Sequence, residues 1–308
     1  MTRTTEQQKR ENKFTLQDLN AAWNYKDSEF VHKPKPFEIR KNPKPDANCT
    51  ISIYGKRKTG KSIFCKWYLK NHADVYPWGW VFTKTRNNKF WESFVPRKKI
   101  LGEYTPFNLN RIMQRQKEMQ SMYIKGMDVN PLAFVVWDDA LGNEIKYDDT
   151  LATYYFNSRH FSTLNLMTSQ HITATPPPIR QNTDHAIIFK NYNGQAIDHL
   201  VGDFSRNKDK DAFIKLMDTY TNDNNFLHIN NDPSVKDEDY MTTGKADVIT
   251  EPFVLGCHQY WRGHPDQLEE IFSGKLQKQQ DRLKEITDVD KIVKLFDVSK
   301  PGRQDDRV

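Results

Sequence analysis

An α/β fold, with a central mostly parallel sheet flanked by helices, is predicted by three stretches of this sequence. Cys49-Thr-Ile-Ser-Ile-Tyr54 is a short β-branched run that leads through a glycine loop into a helical stretch. Pro131-Leu-Ala-Phe-Val-Val-Trp137 is a continuous apolar run ending in Asp138-Asp139. Leu164-Asn-Leu-Met-Thr-Ser169 is a further buried strand and ends in Gln170. Continuous apolar runs suit strands covered on both faces, and polar residues at their carboxyl ends stand where open α/β sheets place ligands. The 308 residues suffice for one large α/β domain with appendages, or for two modest domains.

The loop after the first strand, Gly55-Lys-Arg-Lys-Thr-Gly60-Lys61-Ser62, fits the phosphate-cradling pattern G-x-x-x-x-G-K-[ST] in its required setting of strand before and helix after. This places the fold among P-loop NTPases, with a nucleoside triphosphate and Mg²⁺ as the expected ligands. Unpaired N–H groups and the helix dipole attract phosphate, so Gly55, Lys56, Arg57, Lys58, Thr59, Gly60, Lys61 and Ser62 are the expected nucleotide-binding residues. Lys61 is expected on the β- and γ-phosphates and Ser62 on Mg²⁺. Asp138 is the second expected Mg²⁺ ligand, and Asp139 would orient or polarise the attacking water. Gln170, at a neighbouring strand end, is placed to sense the γ-phosphate or that water. The span between Lys61 and Asp138 leaves room for a further strand, which disfavours the simplest nucleoside-kinase arrangement.

Charge is distributed unevenly. Residues 55–99 hold twelve Lys and Arg against Asp74 and Glu92, whereas residues 218–251 hold eight acids against Lys236 and Lys245. Twelve cations exceed what one triphosphate needs, and a nucleic-acid backbone is the natural second polyanion. Lys84, Arg86, Lys89, Arg97, Lys98 and Lys99 are the candidate DNA contacts. No run of about 18 apolar residues is present, and the first residues carry no apolar signal region, so an intracellular protein without a membrane span is expected. Cys49, Cys65 and Cys257 lack metal-ligand spacing, and their apolar neighbours make all three read as reduced core residues of a protein in a reducing compartment.

Along the chain, residues 1–46 read as an arm, with an amphipathic helix over 14–23 and a proline-rich linker. The core is expected over 47–205, with strands at 78–83 and 185–189 and helices over 108–125 and 149–161. Pro176-Pro-Pro-Ile-Arg180 reads as a stiff loop presenting Arg180. Residues 206–263 form an acidic segment with a strand at 226–229, mostly loop over 230–250, and a return to the sheet edge at 252–257. Charged helices follow over 264–296, then a disordered tail over 297–308.

With these stretches in place the chain resembles the genome-packaging ATPases of large nucleocytoplasmic DNA viruses, the poxvirus-type branch of the FtsK–HerA superfamily. The resemblance rests on Tyr54 to Ser62, Val81-Phe-Thr-Lys-Thr85, Trp137-Asp-Asp139, Ser158-Arg-His160, Ser169-Gln170 and Ile179-Arg-Gln-Asn182, and it covers residues 48–192. It implies an ASCE/RecA-like P-loop ATPase with ATP and Mg²⁺ as cofactors, in a homo-oligomeric ring, pentamer or hexamer, that hydrolyses ATP at subunit interfaces to drive double-stranded DNA into a capsid, in the host-cell cytoplasm or the virion, with a capsid or portal protein as a further partner. Arg159, and after it Arg180, are the candidates for an arginine supplied to a neighbouring site. Asp139 departs from the glutamate of most superfamily members. A cellular or plasmid translocase of the HerA type, a nucleoside kinase and a non-enzymatic nucleotide switch are the alternatives.

Overall fold

The computed structural model describes residues 34–39, 48–84, 89–141, 148–191, 194–206 and 209–274. Among these, one sheet is formed by β1 (Lys35–Pro36), β2 (Thr50–Tyr54), β3 (Trp78–Thr83), β4 (Ile100–Leu101), β5 (Ala133–Asp138), β6 (Thr163–Ser169), β7 (His185–Ile188), β8 (Asn225–Asn230) and β9 (Met241–Lys245). Its order is β1-β9-β8-β7-β2-β6-β5-β3-β4. From β7 through β4 every neighbour is parallel, while β8 runs antiparallel to both β7 and β9. The helices are α1 (Lys61–Asn71), α2 (Pro106–Ile124), α3 (Asp149–Asn157), α4 (Pro177–Gln181), α5 (Gly194–Phe204), α6 (Lys210–Tyr220) and α7 (Pro265–Phe272).

β5 reads as an apolar run up to its final Asp138 because both faces are covered. Along β5, Phe134 and Val136 pack with Phe64, Tyr68 and Val81 on the α1 face. Ala133, Val135 and Trp137 pack on the opposite face with residues of α2 and α3, where the Phe82 and Trp137 rings stack at 4.4 Å. Gly79 is required on β3, since a Cβ there would stand 2.4 Å from the Phe134 ring. Further along the sheet, α5 and α6 cover β7 and β8 through Leu200, Phe213 and Met217. β6 lies between β2 and β5, so the carboxyl ends of these three strands meet, and the loops after them share one crevice.

Several expectations are revised. Within the expected arm, residues 35–36 pair with Thr242 and Thr243 of β9, and Phe37 packs among Phe64, Trp67, Phe226 and His228. Six residues carry too little apolar surface to identify such docking in advance. The stretch 230–250 is mostly loop but contains β9, whose residues from Met241 to Lys245 pair with Ile229 to Asn225 of β8. Residues 252–257 do not rejoin the sheet, and Cys257, expected in the core, is exposed, while Cys49 and Cys65 are buried. The segment 252–257 crosses the α1 face, where Leu255 N–H donates to Phe94 O at 3.1 Å and Cys257 N–H to Pro77 O at 3.0 Å. The helix expected over 14–23, the apolar stripes beyond residue 274 and the tail over 297–308 lie outside the described residues.

A buried polar pair ties β7 to β8. His185 Nδ1 lies 3.1 Å from His228 Nε2, and His228 Nδ1 lies 2.8 Å from Thr242 Oγ1. Burial pushes His185 down to about 4 and His228 well below the ordinary imidazole value. The folded protein therefore holds both rings neutral while the unfolded chain protonates them near pH 6.5. Their contribution is fully present above pH 6.5 and declines as pH falls toward 4, by about 1.4 kcal/mol per pH unit for each ring. Between pH 7.5 and 5.5 the melting temperature is expected to fall by about 5 °C, and by roughly half as much in His185→Gln. Equal pH dependence in the two proteins contradicts this account.

Candidate functional site

The loop from Gly55 to Ser62 joins the buried strand β2 to the first turn of α1. Its curvature requires glycine at two places. A Cβ at Gly55 would lie 2.6 Å from Thr59 Oγ1 and 2.7 Å from Phe189 Cβ, and Gly60 caps α1 with φ +104°. Lys58 also takes a positive φ, +63°. Lys61 is buried beneath the loop and donates to Gly55 O at 2.8 Å and Lys56 O at 3.0 Å. An ammonium has three N–H donors, so one remains for a ligand. Burial lowers the Lys61 pKa, opposed by the charges of Asp139 and Asp138.

Asp138 ends β5 and is almost fully buried. Thr168 Oγ1 donates to Asp138 Oδ1 at 3.0 Å, Ser62 Oγ donates to the same oxygen at 3.3 Å, and Trp91 Nε1–H donates to Oδ2 at 2.8 Å. Burial raises its pKa, and the bonds from Trp91, Thr168 and Ser62 oppose the rise. Asp139 turns out of the strand with φ +48°, a left-handed conformation that Asp tolerates better than longer side chains do. Its N–H donates to Thr168 Oγ1 at 3.0 Å, and its Oδ2 accepts from Gln170 Nε2 at 2.8 Å. Thr168 thus positions both acids, a role set by the register that pairs Asp138 with Thr168.

These groups line one cleft of 660 Å³, bounded by Arg57, Lys58, Thr59, Gly60, Lys61, Ser62, Ile63, Lys84, Asp138, Asp139, Gln170 and Asn224. Five of the predicted chemical residues, Lys61, Ser62, Asp138, Asp139 and Gln170, therefore meet. The cleft combines cationic phosphate donors with hard oxygen ligands. Among the described residues no group of three or more His, Cys, Asp and Glu could by itself hold a metal. Mg²⁺ is usually held by one or two carboxylates with substrate phosphates and water, and the convergence of Ser62 Oγ and Asp138 Oδ1 fits that donor set.

Arg159 and Arg180 lie elsewhere. Arg159 follows α3 and precedes β6, so it stands at the amino end of the strands. Its backbone carbonyl accepts from Asn48, its guanidinium pairs with Asp184, and its side chain is 72% exposed. The proline-rich stretch expected to be a stiff presenting loop forms α4 instead. That turns Arg180 inward, where it donates to Asp203 Oδ2 at 2.7 Å and Thr175 O at 2.7 Å with a side chain 11% exposed. Among the candidate DNA contacts, Lys84 lines the phosphate cleft, Arg97 is paired with both Glu92 and Glu270, and Lys99 packs its ammonium 4.4 Å from the Trp78 ring centre. Lys98 is exposed, Lys89 takes a positive φ, and Arg86 lies outside the described residues.

Sequence reasoning missed Trp91, Thr168 and Asn224. The hydroxyl two residues before Gln170 is a usable signal for Thr168, whereas Trp91 reaches Asp138 across 47 residues with no local pattern to mark it.

A family model described as Poxvirus A32 protein matches residues 39–249. Uncharacterized protein 075L of Invertebrate iridescent virus 6 is 27% identical over 238 residues, 73% of this chain and 91% of that one. Uncharacterized protein 088R of Invertebrate iridescent virus 3 is 28% identical over 251 residues, 77% of this chain and 94% of that one. Among solved structures, the genome packaging NTPase B204 from Sulfolobus turreted icosahedral virus 2, in complex with ATP-gammaS, has 14% identity and a TM-score of 0.48. The match covers 67% of this chain and 100% of that one.

Proposed function

Since this chain belongs to the poxvirus A32 protein family, we infer that it hydrolyses ATP to drive packaging of double-stranded viral DNA. The observation that carries this reading is the pairing of two acids over one phosphate loop. Asp138 is bonded to Ser62, and Asp139 is bonded to Gln170, at the mouth of the same cleft.

The residues divide the work in a simple way. Backbone N–H groups from Gly55 to Ser62 and the Lys61 ammonium bind the triphosphate and balance its charge. Ser62 and Asp138 would hold Mg²⁺, which when bound supplies further charge neutralisation at the phosphates. Asp139 accepts a hydrogen bond from water and orients it toward the γ-phosphate, while the Gln170 amide fixes the Asp139 carboxylate. Phosphoryl transfer depends mostly on positioning and charge stabilisation, so a rigid network of this kind suits it.

The finer reading proposed with it is a homo-oligomeric ring, in which Arg159, exposed at the amino end of the strands, reaches a neighbouring subunit's nucleotide, with a capsid or portal protein as anchor and the host-cell cytoplasm as the place of action. No described helix is long and apolar enough to cross a membrane. A nucleoside kinase would need a second acceptor pocket beside the γ-phosphate, where Gln170 and Asp139 instead bond to each other.

Steady-state ATPase measurements with and without long duplex DNA test the inference. Turnover should rise several-fold with DNA of any sequence, and DNA affinity should drop by an order of magnitude or more between 50 and 200 mM salt. Hydrolysis indifferent to DNA but stimulated by a nucleoside would sink it.

A further inference from the structure

The turn before β8 enters the nucleotide cleft from the side away from the acids. In the sheet, β5 and β6, which end at Asp138 and Ser169 and lead into Asp139 and Gln170, lie on one side of β2, while β7 and β8 lie on the other. A triphosphate on the loop with its γ-phosphate toward Asp139 therefore directs its nucleoside toward β7 and β8. Phe189, at the end of β7, backs the loop there: a Cβ at Gly60 would lie 3.3 Å from the Phe189 ring and 3.7 Å from Asn224 Cβ. Asn224 is exposed to the cleft and lines it beside Gly60.

The backbone at this point is held in an uncommon conformation. Asp223 and Asn224 have φ of +52° and +61°, and such residues concentrate where surrounding structure enforces them. The enforcement is visible. Asn225 N–H donates to Asn222 O at 2.9 Å, the Asn225 amide donates to the same oxygen at 2.6 Å, Asn222 donates to Asp218 O at 2.6 Å, and Lys190 at the end of β7 donates to Asn222. Every amide of this turn except that of Asn224 is engaged in holding it. The Asn224 amide keeps a carbonyl acceptor and two N–H donors for the cleft.

We propose that Asn224 is a nucleotide-specificity residue whose amide hydrogen-bonds the nucleoside half, ribose or base edge, of the bound triphosphate. The proposal rests on the ATPase reading of the site. It gives the antiparallel extension of the sheet a part in choosing the nucleotide, while Lys61, Asp138 and Asp139 deal with phosphate and water.

Asn224→Gly separates this role from a merely structural one, because glycine accepts a positive φ without strain and deletes only the amide. Binding to the full chain is measured by calorimetry with Mg²⁺ and, in turn, ATP, dATP, GTP and inorganic tripolyphosphate. The variant should melt at or above the wild-type temperature, bind ATP about 3- to 10-fold more weakly, and bind tripolyphosphate within about twofold of wild type. The spread of affinities among ATP, dATP and GTP should narrow, and its pattern shows whether the ribose or the base is read. Unchanged ATP affinity, or an equal loss for tripolyphosphate, overturns the assignment. Wild-type protein that binds tripolyphosphate but not ATP better than its phosphates alone overturns it as well. Wild-type protein that binds neither removes the ATPase reading and this inference with it.

Discussion

Arg159→Ala subunits are expected to hydrolyse ATP about 10³-fold more slowly than wild type, and mixing them with Lys61→Ala subunits is expected to restore part of the activity. The geometry allows no role for Arg159 in its own site. It stands at the amino end of β6, whose seven residues span about 20 Å before the carboxyl end where Gln170 begins. An arginine there would meet a nucleotide only if a neighbouring subunit presented one. Its pair with Asp184 holds an arginine that is 72% exposed, and such surface pairs contribute at most about 1 kcal/mol, so the side chain can change partners cheaply. Arg180 does not share this freedom, being held by Asp203 and Thr175 O with little exposure. On the proposed ring, mixed assemblies would contain interfaces with an intact Arg159 facing an intact Lys61, and their ATPase rate is the readout. Absence of recovery in assemblies of normal size would exclude the trans role, and Arg180→Ala should act chiefly by lowering the melting temperature.

Asp139→Asn should lower kcat by about 10² to 10³ while ATP affinity stays within about threefold. Asn is isosteric and also tolerates φ near +48°, so the turn, the N–H bond to Thr168 and the position of Gln170 survive while the negative charge at the water is lost. Asp139→Glu offers a sharper check on the departure from glutamate. The longer side chain is less at ease in a left-handed conformation and would displace the Gln170 amide, so it should be slower than wild type despite keeping the carboxylate. Single-turnover hydrolysis with separately measured nucleotide binding distinguishes these outcomes. An Asp139→Asn protein with wild-type kcat would move the water-orienting role to another group.

Much of the site was legible because phosphate chemistry leaves local marks. Gly55, Gly60, Lys61 and Ser62 stand within eight consecutive residues, since one loop must bend, expose its N–H groups and start a helix. Asp138 and Asp139 follow a continuous apolar run and Gln170 follows a buried strand, at the carboxyl ends where open α/β sheets place ligands. Sequence by itself therefore determined the fold class, the glycine loop and the two acids at the neighbouring strand end, all of which are specified by contiguous segments. Tertiary structure alone decided what depends on distant segments meeting. Trp91 and Thr168 complete the hold on Asp138, Arg180 turns into its own chain, Phe37 docks on the sheet edge, and Asn224 reaches Gly60 from beyond β7. These contacts are fixed by strand order and register, and neither quantity is carried by any single stretch of chain.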